Sequence, residues 1–317
     1  MRSLRGKWFL AALLALTALP ASAEQFINIL TGGTSGVYYP LGIGLSNIWS
    51  KALPNTKVSV QATKASVENL NLLEAGRGEA AITLGDALSQ AWAGNKDAGY
   101  AKPLRKLRGI SALHANYVQI VARADSGIRT LADIKGKRVS VGAAKSGTEL
   151  NARAVFAAAG LKYSDFSKVE YLPYEQSAQL LQNKQVDVTL QSAGLGSPAL
   201  RDLANSVDIV IIPIPASVIA KIGDKAYIAS KVPANTYKDQ PKDVPTAKIE
   251  NYLVTRADLS TDTVYQMTKS MYAHLDELVA AHAAAKSIKL QDAIGGMPIP
   301  LHPGAEKYYR EVGLIKK

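Results

Sequence analysis

The chain has 317 residues, with 37 Lys plus Arg against 26 Asp plus Glu, a formal net charge of +11, and no cysteine. Without a thiol it can form no disulfide, no thiolate metal site and no cysteine nucleophile. Its basic residues are scattered rather than clustered, which points to a solvated surface with some attraction for anionic solutes or membrane headgroups and gives no reason to expect a nucleic-acid partner.

Arg2, Arg5 and Lys7 precede an apolar run from Trp8 to Leu19 that closes on Ala21-Ser22-Ala23 before Glu24. This is the pattern of a secretory signal with a small-residue cleavage site. About a dozen apolar residues fall short of the roughly 20 needed to span a bilayer. Residues 1–23 are therefore expected to be a signal peptide cut after Ala23, leaving a soluble protein in the periplasm. The remaining 294 residues carry 34 basic and 26 acidic side chains, a net +8, and suffice for one core or two lobes.

Residues 26–30 read as a strand running into Thr31-Gly32-Gly33-Thr34-Ser35-Gly36. Val37, Leu41, Leu45, Ile48 and Ala52 then fall at helical spacing, with Pro40 in the first turn, where it is tolerated. A strand at 57–61, a helix at 66–75 with Leu70 and Leu73 inward, and a fully apolar strand at 80–84 follow. The same grammar returns at 137–142, a strand ending in Ala143-Ala144-Lys145-Ser146-Gly147-Thr148, before a helical pattern that ends at Gly160. Ser35-Gly36 and Ser146-Gly147 lie 111 positions apart, as do Lys57-Val58 and Lys168-Val169, while Thr83-Leu84 and Thr189-Leu190 lie 106 apart. The spacing predicts a duplicated unit and an α/β fold of two lobes, each a doubly wound sheet flanked by helices.

Residues 112–123 and 249–255 read as two strands that cross between the lobes and form a hinge. The expected division is residues 24–118 plus 257–317 for lobe 1 and 119–256 for lobe 2. Residues 261–284 read as one long helix capped by Ser260 and Thr261, with Asp262 in its first turn. A tail rich in Pro and Gly ends in a short helix at 305–312 and is expected to wrap lobe 1.

Open parallel sheets bind ligands beyond the carboxyl ends of their strands, and both lobes place polar, glycine-rich loops there. The candidate binding residues are Gly33, Thr34, Ser35, Tyr38, Thr63, Ser66, Asn69 and Asp86 in lobe 1, facing Lys145, Gly147, Thr148, Gln191 and Ser192 in lobe 2. Helix N-termini leave backbone N–H groups unpaired and favour carboxylate or phosphate, so the expected ligand is a small anionic or zwitterionic solute. Asp86 reads either as a helix cap or as the partner of an ammonium group. Lys145 is a candidate to neutralise ligand charge. No Gly-Lys-Ser or Gly-Lys-Thr ends a loop, and no complete Gly-x-Gly-x-x-Gly has an acidic partner downstream. His114, His274, His282 and His302 have no metal-ligand spacing, and there is no Gly-x-Ser-x-Gly elbow. No metal, cofactor or catalytic residue is expected, and an exported enzyme is the least favoured class.

Gly-Gly-Thr-Ser-Gly-Val-Tyr-Tyr-Pro-Leu-Gly at 32–42 resembles the TAXI class of solute receptors of tripartite ATP-independent periplasmic (TRAP) transporters. The likeness continues in order through 65–70, 72–79, 145–152, 253–260 and 301–314. It implies a two-lobed periplasmic binding protein of type II-like architecture that closes on a solute as a monomer and delivers it to a TRAP membrane permease. It also implies glutamate, glutamine or a C4 to C5 dicarboxylate such as 2-oxoglutarate as the solute. The chain departs from the family at Leu84-Gly85-Asp86, where Gln-Ser-Asp is common, and at Leu190-Gln191-Ser192, where aromatics are usual. Closure would equally serve an ATP-driven (ABC) importer or a membrane histidine kinase, and those readings stay open.

Overall fold

The computed structural model describes residues 24–316; the leader expected at residues 1–23 lies outside them. The chain runs through β1 (Gln25–Leu30), α1 (Tyr38–Ala52), β2 (Thr56–Gln61), α2 (Ser66–Glu74) and β3 (Ala80–Leu84). Strand β1 lies between β2 and β3, parallel to both. After α3 (Gly85–Ala93) comes the long β4 (Leu107–Arg123). A second unit, β5 (Arg138–Ser140), α4 (Gly147–Ala158), β6 (Lys168–Glu170), α5 (Tyr174–Gln182) and β7 (Val188–Ala193), repeats this order, with β5 parallel to β6 and β7 on its two sides. The repeat in sequence is thus a repeat in topology. Strands β3 and β7 are buried along their whole length, as expected of strands covered on both faces. Strand β2 alternates half-buried with exposed positions at the sheet edge.

The chain continues through α6 (Pro198–Ser206), β8 (Ile209–Ile212), α7 (Ala216–Ile222) and β9 (Ile228–Val232) into β10 (Val244–Arg256). Strands β4 and β10 pair antiparallel from Tyr117 opposite Lys248 to Leu107 opposite Arg256. Beyond Tyr117, β4 leaves this pairing for β7 and β8, and the start of β10 pairs with β9. The two strands therefore connect the lobes near Tyr117 and Lys248. Asn251 to Thr255 pair with β3, so this segment, assigned by sequence to lobe 2, sits in the sheet of lobe 1. Its apolar alternation runs straight through the crossing and leaves no local mark of it.

On α1, Leu41, Leu45, Ile48 and Trp49 are buried, and Trp49 Nε1 donates to the Met267 carbonyl at 3.0 Å. The helix expected at 261–284 is two helices, α8 (Thr261–Ala273) and α9 (Leu275–Ala281), broken at His274 with φ −130° and ψ 41°. Buried Val264, Met267, Met271 and Leu278 keep helical spacing through the bend, so periodicity alone could not reveal it. Ser260 caps α8 by accepting from the Thr263 N–H. The last helix, α10 (Pro303–Glu311), packs on α8, and Tyr309 Oη donates to the Ile110 carbonyl at 2.7 Å, holding the tail on lobe 1. His302 accepts from the Gly304 N–H through Nδ1 and faces the Leu259 carbonyl with Nε2. It is a neutral cap carrying its proton on Nε2, and burial lowers its pKa.

Candidate functional site

One cleft lies between the lobes, with about 700 Å³ of empty space, part of it open to solvent. Four helices present their N-termini to it. Gly36, Val37 and Tyr38 bring in α1, Ser66 brings in α2, Gly147 and Thr148 bring in α4, and Pro173 and Tyr174 bring in α5. The Ser66, Val67, Gly147 and Thr148 N–H groups have no acceptor among the described residues, because the first turn of a helix cannot satisfy its own donors. Together they form a concave surface of donors and positive dipole ends. Ser192 lines the same space; its hydroxyl is buried and has no hydrogen-bond partner among the described residues.

The approach to α2 is strained. Ala65 has φ 69° and ψ −154°, a region that normally belongs to glycine and costs about 1–3 kcal/mol. Thr63 Oγ1 accepts from the Ala65 N–H at 2.9 Å and helps hold the turn. In α4 the only acidic group of the first turn, Glu149, is drawn off by Arg153 at 2.5 Å and accepts from Tyr163 Oη at 3.1 Å. Its carboxylate thus leaves the helix end free for an outside anion.

A directed network forms the floor. Tyr38 Oη donates to Asn251 Oδ1. Asn251 Nδ2 donates to Asn116 Oδ1 at 2.9 Å, and Asn116 Nδ2 donates to the Ser192 carbonyl at 2.7 Å. Tyr174 Oη donates to that same carbonyl at 2.6 Å, so Thr148 Oγ1, 2.6 Å from Tyr174 Oη, is the donor of its pair. Burial pushes the Tyr174 phenol up to about 12. His114, buried with neither ring nitrogen partnered among the described residues, packs edge-on against Tyr38 at 6.1 Å. Burial lowers its pKa to about 3, so it is neutral.

Of the residues expected from sequence, Gly33, Ser35, Tyr38, Thr63, Ser66, Gly147, Thr148 and Ser192 line this cleft, and Thr34, Asn69, Asp86, Lys145 and Gln191 do not. Thr34 faces a separate groove beside α5 and α6. Asn69 is a pin: its Nδ2 donates to the Thr31 carbonyl at 2.6 Å and the Ile82 carbonyl at 2.9 Å, and its Oδ1 accepts from Thr63 at 2.6 Å. Gln191 is buried, its Nε2 donating to the Tyr174 carbonyl at 3.3 Å. Lys145 is exposed with φ 65°, and its carbonyl accepts from the Glu68 N–H at 3.1 Å across the cleft. Asp86 is fully buried and accepts from Asn151 and Tyr227 of the opposite lobe, at 2.7 and 2.8 Å.

The lining also includes Lys64 and Ser146, which lie in polar loops that the sequence offers to a ligand, Tyr174, which stands beside a loop of the second lobe, and Asn116, which the sequence did not point to. A polar residue inside an otherwise buried strand, as Asn116 is, was the available signal.

Residues 29–313 match the NMT1-like family. The chain belongs to this family. Among solved structures, this NMT1-like protein is similar to PhnD1 from Prochlorococcus marinus in complex with methylphosphonate, at 11% identity over 92% of this chain and 100% of the other, TM-score 0.58. It also resembles a binding protein component of an ABC phosphonate transporter from Pseudomonas aeruginosa, at 16% identity over 82% of this chain and 79% of the other, TM-score 0.51. A histidine kinase sensor domain with similarity to periplasmic binding proteins matches at 12% identity over 84% of this chain and 97% of the other, TM-score 0.50. These likenesses show the fold, which is the two-lobed, type II-like α/β fold of periplasmic binding proteins.

Proposed function

We propose that this NMT1-like protein is a periplasmic solute receptor, without enzymatic activity, that captures a small carboxylate by closing its lobes and hands it to a TRAP membrane permease. The observation that carries this reading is the convergence of four helix N-termini on one cleft beside two hinge strands. Such a site gains affinity from a ligand that touches both lobes, and binding then shifts the population toward the closed form. The TAXI-like blocks support the TRAP assignment and the solute class of glutamate, glutamine and C4 to C5 dicarboxylates.

Within that class the geometry favours an acid without an amino group. Asp86, the expected partner of an ammonium, is engaged by Asn151 and Tyr227, and no carboxylate lines the cleft among the described residues. Calorimetric titration of ligand-stripped protein against 2-oxoglutarate, succinate, glutamate and glutamine tests both points. Saturable binding of the diacids with weaker binding of the amino acids is expected, and silence from all four would reject the solute class.

A second reading is the receptor of an ABC importer, supported by the Pseudomonas neighbour's description as part of an ABC phosphonate transporter. Methylphosphonate, added as a fifth titrant, separates the two: its selective binding would displace the carboxylate reading.

A further inference from the structure

Among the hydrogen bonds between the lobes, one set is buried and made by side chains alone. Asp86 stands in the first turn of α3 and is 0% exposed. Asn151 Nδ2 donates both to Asp86 Oδ2 at 2.7 Å and to Tyr227 Oη at 2.8 Å, and Tyr227 Oη donates to Asp86 Oδ2 at 2.8 Å. Asn151 is on α4 and Tyr227 just before β9, both across the cleft from α3. The side-chain donors of the cluster are then used up: two amide hydrogens and one phenolic hydrogen. Two buried acceptors, Asp86 Oδ1 and Asn151 Oδ1, have no hydrogen-bond partner among the described residues. A single added proton on the carboxyl would supply the missing donor, and an ionised carboxylate leaves the cluster one short.

We propose that Asp86, Asn151 and Tyr227 form a latch between the lobes that holds best when Asp86 is protonated, so that closure of the receptor takes up a proton. The proposal rests on the receptor reading and adds the control of its closing. Asp86 acts here as a positioning residue rather than as a contact to solute.

The surroundings agree with the geometry. Burial raises the Asp86 carboxyl to about 6, with the hydrogen bond from Tyr227 and the nearby Ala87 and Asp86 N–H groups opposing and Asp224 reinforcing the rise. The other groups facing it are Tyr100, after α3, and Tyr38 of α1; none of these is cationic. In an open form the carboxyl meets water and returns toward its ordinary value near 4. The protonated form thus favours closure, which gains as pH falls through about 6 and gains no more below about 4. Between pH 7.5 and pH 5 this linkage changes the closed-to-open ratio by about tenfold.

The experiment is small-angle X-ray scattering of the solute-free protein at pH 7.5 and pH 5, repeated with saturating 2-oxoglutarate. Wild type should be more compact at pH 5, and Asp86→Asn, whose amide supplies the missing donor at any pH, should be compact at both. Tyr227→Phe keeps the ring but removes a donor to the ionised carboxylate, so its transition should move to higher pH; this arm holds if Asp86→Asn does not fold. An unchanged radius in wild type and variants, or an Asp86→Asn protein more open than wild type at pH 7.5, would overturn the latch. Compaction by 2-oxoglutarate that ignores pH in all three proteins would also remove the latch and leave the receptor intact. Compaction by acid pH alone, with no response to 2-oxoglutarate, would keep the latch and count against the proposed solute.

Discussion

At Gly147 a single hydrogen atom separates a closed cleft from a blocked one. A Cβ at this position would lie 2.7 Å from Leu84 Cδ1 and Ser66 Oγ and 2.9 Å from Ser66 Cβ, all on the opposite lobe. Gly147 opens α4 and does not have a left-handed φ, so alanine suits its own lobe. Gly147→Ala should therefore leave the unfolding temperature of the solute-free protein unchanged while weakening acid binding at least tenfold. Calorimetry beside scanning fluorimetry checks both halves, and an equal loss of stability would mean that the glycine serves the fold rather than closure. Asp86 teaches a related lesson. Its place after a buried strand was legible, yet its role was not, because its partners stand 65 and 141 positions away and nothing local announces them.

At the level of elements, Asn69 decides how α2 meets the sheet. Its side chain ties the end of β1, the interior of β3 and Thr63 into one knot. Replacing it with alanine removes the side-chain donor to the Ile82 carbonyl and one of the two to Thr31, whose carbonyl keeps Thr63 Oγ1 at 3.0 Å, a loss of about 1–3 kcal/mol. The unfolding temperature of Asn69→Ala should fall by several degrees in calorimetry, with or without solute. A stable variant that only loses affinity would return Asn69 to the binding surface. The strands, the glycine loops and the doubled unit could be read from sequence because each is signalled within a few residues: an apolar run, a turn, a helical period. The His274 break and the lobe assignment of Asn251 to Thr255 could not, since in both the local pattern continues and the change lies in what the segment packs against.

At the scale of the whole molecule, the lobes share more than a linker. The sheet runs unbroken from β2 to β6 through β10 and β4, and one apolar cluster joins Leu30, Val67 and Leu70 to Val139, Phe156 and Val188. With pairing and core continuous across the hinge, heat should unfold the chain in one transition, its calorimetric and van't Hoff enthalpies equal. Two resolved peaks would show that the lobes melt separately. The same connectivity sets a schedule for synthesis. Leu84 at the end of β3 finds its neighbour only when Asn251 has been made, 167 positions later. At a translation rate of roughly 5–20 residues per second that is a delay of roughly ten to thirty seconds. Throughout it a strand apolar but for Thr83 stands with one side unpaired, the kind of edge that invites a second nascent chain. Keeping that edge apart from its copies falls to whatever meets the growing chain, since the strand that will cover it does not yet exist.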